Sequence, residues 1–125
     1  MASAKPIFGY WRARGGERGQ AIRFVLAYKG VDYEEKRYNW PEGGSEWFGK
    51  DKHSIGLDFP NLPYFIDNDF KLTNSGAVMN YVCAKWAPEL LGATPQERGE
   101  VSRLQFLLME YFESWVYMGF RGKNQ

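Results

Sequence analysis

Three short stretches of the sequence carry residue types that could hold and activate a small polar ligand. Tyr10 stands just before a glycine-rich turn, where its hydroxyl could donate a hydrogen bond to a bound thiol and lower the pKa of that thiol from about 8.5 toward neutrality. A cis bond at Leu62-Pro63 would leave the Leu62 backbone N–H and C=O groups free to pair with an extended peptide. Ser75 begins a helical pattern, whose free N–H groups and hydroxyl could together bind a carboxylate.

Each of these features has a simpler structural alternative. Tyr10 could be a core aromatic, Pro63 could mark the boundary between a loop and a strand, and Ser75 could only cap its helix. The residues alone favour the boundary at Pro63 over the cis bond. Cys83 and His53 are predicted to be an inert buried thiol and a solvated side chain. An aromatic wall and nearby cations could come from Trp11, Trp47, Lys50 and Lys52.

The composition excludes several functional classes. The chain has 125 residues, of which 44% are hydrophobic and 25% charged, the balance of a single compact globular domain. Its 16 Lys and Arg residues against 15 Asp and Glu give a net charge of +1, so nothing favours nucleic acid as a partner. With one cysteine and one histidine, no disulfide framework and no metal site are expected. No signal or membrane segment is visible, so a cytoplasmic location without a membrane partner is expected.

The apolar pattern alternates between strands and helices. The predicted elements, in chain order, are a strand at 5–11, a helix at 20–29, a strand at 33–38, strands at 62–66 and 70–73, and a helix at 75–86. Gly30 is expected to end the first helix, and the charged strand at 33–38 is expected at a sheet edge. Residues 39–59 are predicted to form a long irregular loop with one helical turn near Trp47.

This order of elements predicts a fold class. The helix between the first two strands makes them parallel through a right-handed crossover, and the last two strands form an antiparallel hairpin about Asp67-Asn68-Asp69. The expected fold is α/β, a thioredoxin-like mixed four-stranded sheet with flanking helices. Because the paired cysteines of a redox thioredoxin are missing, such a fold would serve binding, with other groups supplying the chemistry.

A different kind of structure is predicted after Pro88. Thr94-Pro95-Gln96-Glu97 combines a helix cap, a proline at the first helical position and a glutamate three residues after the cap. The helix that follows, toward Met118, carries apolar side chains with nothing downstream to cover them: Val101, Leu104, Leu108, Tyr111, Phe112 and Trp115. The expected organisation is one domain at residues 1–88, followed at residues 89–125 by a linker and the start of an all-α domain.

An ordered set of motifs resembles the mu class of cytosolic glutathione transferases. The set comprises Gly9-Tyr10-Trp11, Arg14-Gly15, Ala21-Ile22-Arg23, Tyr33-Glu34-Glu35-Lys36, Gly56-Leu57-Asp58-Phe59-Pro60-Asn61-Leu62-Pro63-Tyr64 and Asn74-Ser75. The resemblance covers residues 5–88 strongly and 89–120 more loosely, and the run from Gly56 to Tyr64 is its most specific part. It implies a thioredoxin-like glutathione-binding domain followed by an all-helical domain, assembled as a homodimer.

The resemblance also implies roles for individual residues. Tyr10 would be the catalytic tyrosine that activates the thiol of glutathione, which is a co-substrate, and no cofactor would be needed. Leu62, before a cis Pro63, would pair its backbone with the cysteinyl unit. Phe59 would insert into the partner subunit, and Glu110 would reach the partner's glutathione. Other glutathione contacts would come from Asn61, from Asn74 and Ser75 at the γ-glutamyl end, and from Trp11, Trp47 and Lys52 at the glycine end, with Lys50 competing for the role of Lys52.

The activity implied is conjugation of the thiolate of reduced glutathione to small electrophilic xenobiotics. Two departures from the family pattern bear on this expectation. Asn74 stands where the family has glutamine, and the family's helical domain, which forms most of the electrophile site, continues well beyond residue 125. The alternative is therefore a non-catalytic glutathione-binding or dimerisation module that lacks a complete electrophile site. A structural protein that reuses the fold would have no affinity for glutathione.

Overall fold

The chain forms two compact units in a computed structural model that describes residues 3–12, 18–39 and 42–121. The first unit comprises Met1–Ala87 and the second Pro88–Gln125, a division one residue from the predicted boundary. The elements of the first unit are β1 (Ile7–Trp11), α1 (Gln20–Tyr28), β2 (Glu34–Tyr38), α2 (Glu42–Glu46), a π-helix (Trp47–Asp51), α3 (Lys52–Ser54), β3 (Tyr64–Asp67), β4 (Phe70–Thr73) and α4 (Ser75–Trp86). Those of the second unit are a 3-10 helix (Pro88–Leu91) and α5 (Pro95–Arg121).

The first unit is built on a mixed four-stranded sheet with the strand order β2-β1-β3-β4. β1 is parallel to β2, with Ile7 opposite Glu34, and β3 is antiparallel to both β1 and β4. The charged strand β2 lies at an edge, as its sequence predicted. The thioredoxin-like α/β fold expected from the order of elements is thus confirmed for this unit.

The core of this unit lies between the sheet and the two longer helices. Phe8 of β1 and Phe65 of β3 are fully buried, and burying a side chain of this size stabilises a fold by about 1.5–3 kcal/mol. α1 and α4 join them through four buried side chains: Ile22, Leu26, Val78 and Val82. α1 ends at the predicted place, where the Gly30 N–H donates to the Ala27 carbonyl.

A buried ion pair, which the sequence pattern did not single out, links α1 to β2. The guanidinium of Arg23, 9% exposed, is paired with the Glu35 carboxylate. Its central carbon lies 5.6 Å from the centroid of the Phe8 ring, a distance typical of a cation–π contact. The pair therefore connects α1 to the edge strand from within the core.

Residues 42–54 form a continuous helical segment, so the prediction of an irregular loop with one helical turn is wrong. Trp47 is 2% exposed and anchors the segment, its ring stacked on Tyr64 at 6.0 Å and edge-on to Tyr38 at 5.5 Å. Three glycines in the segment each lower helix propensity by about 1 kcal/mol, which hides the helix in the sequence. Tertiary packing of Trp47 stabilises it instead.

The hairpin of β3 and β4 turns where it was predicted to turn. Asn68 at the turn has a φ of 54°, a conformation that asparagine tolerates well. The Leu62-Pro63 bond that precedes β3 is cis. The family resemblance implied this bond, whereas the residues alone favoured a plain boundary between loop and strand.

A buried carboxylate ties the hairpin to α4. Asp67, 5% exposed, accepts a hydrogen bond of 2.6 Å from the Tyr81 hydroxyl and pairs with the Lys85 ammonium group. Burial opposes the ionisation of Asp67, but the hydrogen bonds from Lys85 and Tyr81 outweigh it, so the pKa of Asp67 lies below its ordinary value. Burial and the bond to Asp67 raise the pKa of Tyr81 to about 12.

The second unit begins its long helix at the predicted capping box. The Thr94 hydroxyl accepts from the Glu97 N–H at 3.1 Å, and the Glu97 carboxylate accepts from the N–H groups of Ala93 and Thr94. α5 then runs for 27 residues. Its exposed apolar side chains include four of the six that the sequence left without a cover, namely Leu104, Leu108, Tyr111 and Trp115, whereas Val101 and Phe112 are half-buried. Across the described ranges, no helix is both long and apolar enough to cross a membrane.

Candidate functional site

The sheet brings together predicted site residues that are far apart in the sequence. They lie along the edge formed by the ends of its strands, which is distinct from the lateral edge occupied by β2. β1 ends at this edge with Tyr10 and Trp11, β3 begins there, and β4 ends there. Gly9 is opposite Tyr64, and Tyr64 is opposite Thr73. The residues after Gly9 therefore lie beside those that precede Tyr64 and those that follow Thr73. Ligands of α/β sheets commonly bind at such strand ends.

Tyr10 lies at this edge with only 8% of its surface exposed. Its ring is stacked with that of Phe8, the centroids being 6.5 Å apart. Gly19, just before α1, approaches so closely that a Cβ atom there would lie 3.0 Å from the Tyr10 ring. Gly19 therefore lets the start of α1 pack on the tyrosine, a role that the sequence pattern did not reveal.

An aromatic and cationic group flanks the end of β1. The Trp11 ring lies 5.9 Å from that of Phe48, centroid to centroid, and the Lys52 ammonium group lies 5.4 Å from the Phe48 centroid. Lys52 is half-buried, whereas Lys50 is exposed. The structure thus places Lys52 in the same group as Trp11, through Phe48, a residue that sequence reasoning missed.

A buried hydrogen-bond network lies beneath this group and was also missed. The Tyr38 hydroxyl donates to the Asp51 carboxylate at 2.6 Å and lies 3.0 Å from the Tyr64 hydroxyl. Burial, helped by the bonds to Asp51 and Tyr64, raises the pKa of Tyr38, and burial likewise raises the pKa of Tyr64. Both phenols therefore stay protonated at neutral pH. Trp47 packs on both rings as part of the core, so only a narrow margin of it could contact a ligand.

The backbone of Leu62 differs in one respect from its expected state. Its C=O and N–H groups were expected to be free, but the N–H donates to the side-chain oxygen of the preceding Asn61 at 2.9 Å. Leu62 is 7% exposed and Asn61 is exposed. An extended ligand that pairs with Leu62 must therefore displace the Asn61 amide from this N–H group.

The start of α4 also differs from the prediction. Asn74, not Ser75, is the N-cap, and its side-chain oxygen accepts from the N–H groups of Gly76 and Ala77 at 3.0 and 3.1 Å. Asn74 has a φ of 80°, a conformation that asparagine adopts more readily than serine. Ser75 is the first helical residue, and its hydroxyl makes no hydrogen bond within the described ranges.

The other predicted residues lie outside this edge. Phe59 is 82% exposed, and its carbonyl accepts a 2.8 Å hydrogen bond from Thr73, which attaches its loop to the end of β4. Glu110 is exposed on α5 in the second unit. His53 is exposed and Cys83 is buried, as predicted.

The arrangement at the sheet edge suits an extended ligand that carries a carboxylate at each end. The start of α4 offers the partial positive charge of a helix N-terminus to a carboxylate. The Leu62 backbone can pair with an amide, and Lys52 can attract a second carboxylate beside the aromatic rings. Tyr10 stands at the strand end between these groups, where a phenol can donate to a ligand sulfur.

Comparison with known proteins gives matches over most of the chain. The family model described as the glutathione S-transferase N-terminal domain matches residues 6–84. The chain is 41% identical over 115 residues to the glutathione S-transferase class-mu 26 kDa isozyme 51 of Fasciola hepatica, which is 92% of this chain and 50% of that protein. It thus spans about half the length of the curated relatives it matches.

Solved structures agree with these matches. The structure of the glutathione S-transferase Blo t 8 is 31% identical, with a TM-score of 0.73 over 83% of this chain and 45% of that chain. Na-GST-3 of the hookworm Necator americanus, described as monomeric, is 24% identical with a TM-score of 0.72, over 94% of this chain and 54% of its own. At that identity the second match shows a common fold alone.

Proposed function

Since the chain belongs to the glutathione S-transferase family, we propose that it binds reduced glutathione at this sheet edge and conjugates its thiolate to small electrophilic xenobiotics. One observation carries the proposal: Tyr10, the cis Leu62-Pro63 backbone and the start of α4 converge at one edge of the sheet. Glutathione is a co-substrate in this reaction, and no cofactor takes part. The reaction is placed in the cytoplasm, in keeping with a chain that has a single cysteine.

Glutathione lies along the edge with its two ends apart. Its cysteinyl carbonyl takes the Leu62 N–H group from Asn61, whose amide then becomes a neighbouring ligand contact. The γ-glutamyl end lies against Asn74 and Ser75 at the start of α4. The glycine carboxylate lies against Lys52 and Trp11 of the aromatic and cationic group and against the accessible margin of Trp47.

The chemistry rests on Tyr10. Its hydroxyl donates a hydrogen bond to the glutathione sulfur, and such a bond favours the thiolate over the thiol. The thiolate attacks the electrophilic carbon, so that a C–S bond forms and the leaving group departs with its electron pair. Hydrogen bonds to charged groups are worth about 1.5–3 kcal/mol, which corresponds to a thiol pKa lowered by about 1–2 units.

Replacing Tyr10 with phenylalanine in the full chain tests this proposal. The readout is the thiolate absorbance of bound glutathione, followed as a function of pH, because it needs no electrophile. Tyr10→Phe should move the midpoint of this thiol titration upward by about 1–2 pH units, since one hydrogen bond to the thiolate is lost. Turnover of a chlorodinitrobenzene electrophile should fall about tenfold or more. Tyr28→Phe is the matched control, because Tyr28 is 67% exposed on α1.

Three outcomes of this experiment separate the candidate functions. An unchanged midpoint in Tyr10→Phe would show that the tyrosine does not stabilise the thiolate. Glutathione binding with a low-pH midpoint but no turnover by the full chain would favour the non-catalytic binding module. No binding at all would leave only the structural role.

The proposed assembly is a homodimer in which Phe59 enters the partner subunit and Glu110 reaches the partner's glutathione. The exposure of Phe59 supports this, because an isolated phenylalanine 82% exposed on a loop held by Thr73 is suited to insertion in a pocket. The small electrophile remains a second partner of the proposed reaction.

A further inference from the structure

The helical segment 42–54 contains one turn that is wider than an α-helical turn. The Lys52 N–H bonds to the carbonyl of Trp47, five residues earlier, within the π-helix Trp47–Asp51. A π-helical turn of this kind inserts one residue into an α-helix and is frequent at functional sites. It changes the direction of the side chains that follow Trp47.

The wide turn decides which lysine lies near the site. In a regular α-helix of 3.6 residues per turn, Lys50 would lie about 60° around the axis from Trp47 and Lys52 about 140°. The bond from Lys52 to Trp47 closes the turn five residues on, which brings Lys52 back toward the side of the buried Trp47 and turns Lys50 away. The burial agrees, since Lys52 is half-buried beside Phe48 and Lys50 is exposed.

Asp51 connects this turn to the sheet. Its carboxylate accepts the 2.6 Å hydrogen bond from Tyr38, the last residue of β2, which is fully buried. The Tyr38 hydroxyl also lies 3.0 Å from that of Tyr64 in β3. Asp51 is thus bonded to β2 through the Tyr38 hydroxyl, which in turn lies within hydrogen-bond distance of the Tyr64 hydroxyl of β3.

We propose that Asp51 is a positioning residue that holds the π-helical turn through Tyr38 and thereby selects Lys52, rather than Lys50, to bind the glycine carboxylate of glutathione. This inference rests on the proposed function. Asp51 itself does not contact glutathione and acts only through the direction it imposes on Lys52.

The test compares glutathione with its glycine monoester, which lacks the terminal carboxylate, by calorimetric titration of the full chain. The parent should bind glutathione about three- to fivefold more tightly than the monoester. This factor corresponds to the stabilisation that a solvent-accessible ion pair contributes. Asp51→Ala and Tyr38→Phe should each abolish this preference. Asp51→Asn, whose amide oxygen still accepts from Tyr38, should keep it. Asp51→Ala should raise the KM for glutathione and leave kcat, measured at saturating glutathione, unchanged.

One matched pair of variants and one deletion keep the proposal testable if Asp51→Ala does not fold. Lys52→Met should abolish the preference for glutathione, whereas Lys50→Met should keep it. Deletion of Gly49, an exposed residue with no atom within 4 Å of a Cβ position, should restore a regular turn, place Lys52 four residues after Trp47 and keep the preference.

The results that overturn this inference differ from those that overturn the proposed function. A preference lost in Lys50→Met, or kept in either Asp51→Ala or Lys52→Met, would overturn the selection of Lys52 by Asp51. In that case the Tyr10-dependent thiolate signal would still be present. A parent chain that shows no glutathione binding would instead overturn the proposed function.

Discussion

Replacing Gly9 with alanine would place a methyl group inside the ring of Tyr64. An ideal Cβ atom on Gly9 lies 2.1 Å from Cζ and 2.3 Å from Cε1 of that ring. Gly9 is in the middle of β1, paired with β2 on one side and β3 on the other, so its backbone has little room to move. Tyr64 is 3% exposed and must therefore shift within a packed core.

The cost of this shift follows from the contacts of Tyr64. Overpacking a core by one methyl group typically costs about 1–3 kcal/mol. Displacing the ring also disturbs its hydrogen bond to Tyr38 and its stacking on Trp47, each worth about 0.5–1.5 kcal/mol. The free energy of unfolding of the first unit should fall by about 2–6 kcal/mol, which lowers the melting temperature by at least about 8 °C.

Thermal and urea unfolding of the full chain, followed by tryptophan fluorescence, measures the effect of Gly9→Ala. Gly49→Ala is the control, because a Cβ atom there meets no atom within 4 Å, and it should be neutral or slightly stabilising. In a Tyr64→Val background, in which the ring is absent, Gly9→Ala should lower the free energy of unfolding by less than about 1 kcal/mol. A Gly9→Ala midpoint within about 2 °C of the parent would refute the reasoning.

Three further predictions concern the cap, a buried carboxylate and the exposed loop. Asn74→Ala should reduce stability to urea by about 1 kcal/mol and Asn74→Gly by less, because glycine suits the positive φ; the reverse order would contradict the capping role. Since the folded-state pKa of Asp67 lies below the unfolded value, its stabilisation is present above about pH 4 and lost as the pH falls through the folded pKa. The difference in free energy of unfolding between the parent and Lys85→Met should therefore shrink below about pH 4. An equal difference at neutral and acid pH would contradict the stabilising role of the Lys85–Asp67 pair. Phe59→Ser should shift the dimer–monomer equilibrium toward monomer in analytical sedimentation. The melting temperature of the monomer should not change, because Phe59 is 82% exposed. A dimer as stable as that of the parent would exclude Phe59 from the interface.

Local signals in the sequence accounted for most elements of the fold. The end of α1 at Gly30, the hairpin turn at Asn68 and the capping box of Thr94 each depend on residues close in sequence, and each was predicted. The edge position of β2 followed from its charges. Such features can be predicted because the groups that form them are only a few residues apart.

Two of the errors fell where neighbouring residues compete for one role, and the third fell where tertiary packing overrides local propensity. Asn74 rather than Ser75 caps α4, because the chain leaves β4 with a positive φ that asparagine tolerates. The Leu62 N–H group is taken by Asn61. The helical segment 42–54 exists because Trp47 packs on two strands, against the propensity of its glycines.

The sequence by itself determined the α/β class, the order of the strands and helices, and the presence of Tyr10, a cis-prone Leu62-Pro63 and a helix start within one chain. Only the tertiary structure decided which of two lysines lies beside the site. That choice depends on a π-helical turn held by Asp51 and Tyr38, residues 13 apart that meet only when β2 and the helical segment pack together. A rotation about a helix axis is set by such distant contacts, because the backbone propensities of adjacent residues differ too little to fix it.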